Sequence, residues 1–180
     1  MMFEPKQEWQ AINGEFTKAP AIYWGYVIPL SAIPPVAVIL GAVLFQEQGT
    51  LFGAIETTIG AGVQDGVTRY LFGFACVFAL TMAIDFLTPV FGGHANQVQA
   101  LKVAAYSSTP AWLFSALAVV PRLGRYSIIG AVWSLYLVYL GAPSLMKVSG
   151  DKATAFGFAA VAAAAIVALL VEGLRIATVG

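Results

Sequence analysis

A chain of 180 residues with nine basic and nine acidic side chains has no net charge, which excludes the electrostatic footprint of a nucleic-acid binder. Charged residues make up only 10% of it and the AVILMFWYC set 59%, too little polar surface to cover a soluble domain of this size. The implied fold class is all-α, a polytopic membrane protein whose apolar side chains face lipid. A single histidine, His94, cannot form a two-His metal site, and a single cysteine, Cys76, cannot form an internal disulfide. With no zinc or haem motif, no cofactor is expected.

Residues 1–18 read as a short polar tail carrying Glu4, Lys6, Glu8, Glu15 and Lys18, with no signal-peptide pattern. The first span covers 19–45, an uncharged run longer than the roughly 20 residues a bilayer needs. Pro29 and the Pro34–Pro35 pair remove backbone N–H groups, so this helix should be kinked, with the kink facing protein rather than lipid. Residues 46–69 are ambiguous. Leu51, Ile55, Ile59 and Val63 recur every four residues, but Glu47, Glu56, Asp65 and five glycines oppose a span. The expectation is a loop, flexible or with a surface-lying amphipathic segment.

The second span covers 70–91 and contains one charge, Asp85. After a Gly92–Gly93–His94 turn, the third covers 103–120, the fourth 126–146 and the fifth 153–171. Ala160, Ala164 and Ala168 form a ladder on the fifth, suited to close helix packing. Five spans place the termini on opposite sides. One side then holds Lys6, Lys18, Lys102, Lys147 and Lys152, the other Arg69, Arg122, Arg125 and Arg175, so the positive-inside rule does not fix the orientation.

Thr81, Asp85 and Thr88 line one face of the second helix, and Lys102, Tyr106 and Thr109 line one face of the third. Folding the two about the glycine turn sets Asp85 level with residues between Lys102 and Tyr106. Such a cluster reads either as an interhelical clamp or as a site for an ion, a proton or a lipid headgroup. Thr88 and Thr109 each precede a proline, so their hydroxyls could instead satisfy the carbonyls that Pro89 and Pro110 leave free. Trp133, Tyr136 and Tyr139, spaced by three, read as packing or interfacial anchors, with Ser107 or Ser108 as hydroxyl partners.

Tyr106-Ser107-Ser108-Thr109-Pro110 resembles the AYxSTP signature of the Yip1 family. The stretch from Trp133 through Tyr136, Tyr139 and Gly141 to Pro143 resembles its W-x-x-Y-x-x-YLG-x-P segment, and Lys147, Lys152 and Ala153 suit its closing lysine-loop-helix pattern. The resemblance implies five spans and a cytoplasmic N-terminus. Eukaryotic relatives reside in endoplasmic reticulum and Golgi membranes, bind Rab GTPases and usually have a long cytosolic N-terminal region. The 18 polar residues here argue against a Rab-type partner and for a bacterial inner-membrane member. The expected function is a non-enzymatic scaffold or adaptor for membrane lipids, other integral membrane proteins or copies of itself. The alternative is a small transporter or channel subunit that uses the Asp85 cluster.

Overall fold

The computed structural model describes residues 4–50, 52–148 and 150–179, and they form an all-α bundle with one small β-hairpin. The supposed tail is a helix. Helix α1 (Pro5–Gly14) starts at a proline suited to a first turn and buries Trp9 and Ile12, three positions apart, against the rest of the molecule. The first span, Ala19–Phe45, is interrupted as its prolines require: α2 (Ala19–Ile22), a π turn (Tyr23–Val27), α3 (Ile28–Ser31) and α4 (Ile33–Phe45). Gln46, in the left-handed region at φ 52°, stops α4.

The stretch 46–69 is ordered differently from the expected loop. Strands β1 (Glu47–Thr50) and β2 (Gly53–Glu56) pair antiparallel, and Gly53 supplies the positive φ of 134° that the turn needs. Thr58 then accepts a hydrogen bond from the Ala61 N–H at 3.2 Å and starts α5 (Ile59–Leu87), eleven residues ahead of the expected span. Two of the glycines that seem to oppose a helix, Gly62 and Gly66, are its contact surface. A Cβ on Gly62 would collide with Ala42 Cβ, and one on Gly66 would lie 2.7 Å from Ile39 Cγ1. Small residues four apart let α5 approach α4 closely.

A 3₁₀ turn (Thr88–Phe91) and Gly92 at φ 78° end this helix, and Asn96 caps α6 (Gln97–Ser107) by accepting from the N–H groups of Val98 and Gln99. The chain continues through α7 (Thr109–Ser115) and 3₁₀ turns over Ala116–Val119 and Pro121–Tyr126. Two long helices close the fold, α8 (Ser127–Leu145) and α9 (Lys152–Val179). Of the described helices, four are long and apolar enough to span a bilayer: Ala19–Phe45, Ile59–Phe91, Pro121–Leu145 and Lys152–Thr178. This corrects the expected count of five continuous spanning helices. The third expected span, 103–120, is not one continuous helix, because Pro110 cannot continue the hydrogen-bond ladder of α6. The pieces nevertheless run from one end of the bundle, where the His94 N–H donates to the Met146 carbonyl, to the other, where Ala118 abuts Gly49. The outer surface is apolar, with Phe86 80% and Leu169 73% exposed, as lipid contact requires.

Candidate functional site

Among the described residues, neither Lys102 nor Tyr106 makes the expected clamp with Asp85. Lys102 is only 1% exposed, and its ammonium donates to the backbone carbonyls of Ile12 at 2.9 Å and Glu15 at 2.6 Å. These carbonyls lie at the end of α1, where unsatisfied acceptors and the helix dipole attract a cation. The expectation fails because a segment read as a polar tail is a helix, and its terminal carbonyls compete for the ammonium. Asp85 keeps a buried Oδ1 with no hydrogen-bond partner among the described residues. Its neighbours on the helix face bond locally: Thr81 donates to the Val77 carbonyl at 2.7 Å and Thr88 to the Ile84 carbonyl at 2.7 Å.

Around the break between α6 and α7 the lost backbone bonds are replaced by side chains. Pro110 deprives the Tyr106 carbonyl of a donor, and the Thr109 hydroxyl replaces it at 2.8 Å. Having donated its one proton there, Thr109 accepts from the Tyr26 hydroxyl at 2.6 Å. Tyr26 also meets Tyr106 edge to face, with centroids 4.7 Å apart. Ser107 and Ser108 donate to the carbonyls of Val103 and Ala104 on their own helix, so they are not partners of Tyr136 or Tyr139.

The two motif segments meet directly. The Ala111 N–H, freed at the start of α7, donates to the Ser134 hydroxyl of α8 at 3.1 Å. At the same crossing a Cβ on Gly130 would collide with the Pro110 carbonyl oxygen. Gly141 serves a different contact: the Trp9 indole lies across it, 2.5 Å from where a Cβ would be. Trp133 packs on Tyr136 at 5.5 Å, and Tyr139 packs on Phe158 of α9 at 5.2 Å. Pro143 lies inside α8. On α9, Ala160 and Ala164 are buried, whereas Ala168 is exposed.

Sequence reasoning missed a charged cluster at the opposite end. Asp65 of α5 is 7% exposed and Arg175 of α9 is 6% exposed. Arg175 Nη1 donates to Asp65 Oδ1, while its Nε and Nη2 grip Glu172 at 2.8 and 2.6 Å. Arg69 Nε donates to the other Asp65 oxygen at 2.9 Å. Four charges on two helices thus form one neutral network, with each buried charge paired. The network lines an open cavity of about 820 Å³ beneath the β-hairpin. A helical reading of 59–69 would have put Asp65 and Arg69 on one face; their partner, 110 residues away, leaves no local signal.

An all-α bundle with four bilayer-length apolar helices, lipid-facing side chains and paired internal charges defines a multi-pass integral membrane protein. The Yip1 domain family model matches residues 1–171, and the chain belongs to that family. The inner membrane protein YohC of Escherichia coli (strain K12) is 24% identical over 169 residues, covering 91% of this chain and 85% of YohC. The protein of the same name from Escherichia coli O6:H1 matches to the same extent. No solved structure matches. The match extends over α1, in keeping with a first helix that belongs to the packed domain.

Proposed function

We propose that this protein is a non-enzymatic membrane scaffold or adaptor in a bacterial inner membrane, with its N-terminus in the cytoplasm. One observation carries the reading: the three buried charged side chains among the described residues, Asp65, Lys102 and Arg175, each join two separate helices. Groups committed to holding helices together are suited to keeping an outer surface in fixed shape for partners. Those partners are membrane lipids, other integral membrane proteins or further copies of the chain. The inner-membrane assignment is supported by the name of its Escherichia coli relatives.

A second reading, a small transporter or channel subunit, is favoured by the unpartnered Asp85 Oδ1. Reconstitution into proteoliposomes separates the two. The scaffold reading expects proton and cation flux equal to that of empty vesicles, and an Asp85→Asn protein that still crosslinks to its neighbours in native membranes. Flux above that background, abolished by Asp85→Asn, would establish the transporter reading in its place.

A further inference from the structure

The cavity beneath the hairpin has unused hydrogen-bonding capacity of both signs. Among the described residues, Arg69 uses only Nε, leaving both Nη groups without partners, and its side chain is 32% exposed. Glu172 accepts from Arg175 through both oxygens, yet its side chain is 48% exposed and its remaining lone pairs are open to a further donor. Gln48, on β1, is only 7% exposed, lines the same cavity, and its side-chain amide has no partner among the described residues. The Gln48 amide is not sealed from solvent, so it is available to whatever occupies the cavity.

The position of the cavity matters as much as its lining. Helix α5 has 29 residues, about 44 Å at 1.5 Å each, against a hydrocarbon thickness of roughly 30 Å. Asp65 and Arg69 lie in its first three turns, and Glu172 and Arg175 lie in the last turns of α9. The cluster therefore lies at the ends of two helices, where helix length exceeds what the hydrocarbon core needs. Leu169 and Ile166, 73% and 56% exposed, carry an apolar surface from the cavity down the lipid-facing side of α9. The charged side chains lining it are two carboxylates and two guanidiniums, which balance. A purely anionic headgroup would meet Glu172 and Asp65 as well as Arg69.

We propose that this cavity seats the headgroup of a zwitterionic phospholipid with a primary ammonium, the phosphate on Arg69 Nη and the Gln48 amide and the ammonium on Glu172. The acyl chains then lie along Leu169 and Ile166. The assignment rests on the scaffold reading in counting lipid among the partners, and it specifies which lipid and where.

The test is native mass spectrometry of the delipidated full-length protein, titrated with phosphatidylethanolamine or phosphatidylglycerol. The wild type is expected to retain phosphatidylethanolamine at least fivefold better. Arg69→Gln should cut that retention about tenfold, and Glu172→Gln should erase the preference between the two lipids. Gln48→Leu, which removes no charge from the helix–helix network, should lower retention severalfold in a protein that folds normally. Glycerophosphoethanolamine in excess should displace the lipid; failure to displace it would put binding on the acyl chains alone and overturn the proposal. Equal retention of both lipids by the wild type, or an unchanged Gln48→Leu protein, would also overturn it. Crosslinking to protein neighbours is scored separately, so the scaffold reading stands or falls on its own result.

Discussion

Lys102 reaches from α6 to the end of α1 and donates a 2.6 Å hydrogen bond to the Glu15 carbonyl. This contact converts an amphipathic N-terminal segment with only Trp9 and Ile12 buried into a fixed part of the bundle. Lys102→Met should free α1 and cost about 1.5–3 kcal/mol, the range for a hydrogen bond from a charged donor. Limited proteolysis checks it: cleavage should appear within residues 5–18 of the variant while the wild type resists. Because Asp85 does not share this contact, Asp85→Leu and Lys102→Met should be additive in thermal unfolding.

Close backbone approach at Gly62 and Gly66 predicts a sharp position dependence. Gly66→Leu has to displace Ile39 and the Pro35 carbonyl, at an overpacking cost of about 1–3 kcal/mol. Gly73, on the same helix, has nothing within 4 Å of where a Cβ would lie and should accept alanine without loss. Detergent-solubilised melting curves of the two variants distinguish a packing stripe from general helix weakening.

At the break between α6 and α7, Thr109 both donates to Tyr106 and accepts from Tyr26. Thr109→Val should therefore cost more than Tyr26→Phe, on the order of 1–2 kcal/mol for an interhelical hydrogen bond in a membrane protein. Thr109→Ser, which keeps the hydroxyl, should remain close to the wild type. Equal stability of the valine and serine variants would remove Thr109 from this role.

Hydropathy alone locates the four long apolar helices, because spanning lipid imposes length and composition on a local stretch of chain. The broken crossing is harder to read: residues 103–120 are apolar, but Pro110 divides them, and the Thr109 hydroxyl and Ser134 replace what the ladder loses. Thr58 at a cap position hints that α5 starts early, yet the nearby glycines point the other way. Glycine opposes an isolated helix and favours a tightly packed one, and only the facing Ala42 and Ile39 decide between them. The Asp65–Arg175 pair is illegible for a different reason. It depends on α5 and α9 aligning at one end, a tertiary fact without a sequence period.

Topology follows from the path of the chain. Reporter fusions at residues 95 and 150 should report from the side of the N-terminus, and fusions at 52 and 123 from the opposite side. Fusions at 95 and 123 reporting from the same side would mean that the broken segment does not cross.

Buried charges in this protein fasten helices together, and a double-mutant cycle on Asp65 and Arg175 tests that most directly. Each single alanine variant takes the interhelical partner from a buried charge and leaves it only an in-helix one, Glu172 for Arg175 or Arg69 for Asp65. Each should lose about 1–3 kcal/mol. The double variant strands neither of them, so its loss should be well below the sum of the two in thermal or denaturant unfolding of the purified protein. Additive losses, or single variants as stable as the wild type, would contradict that role.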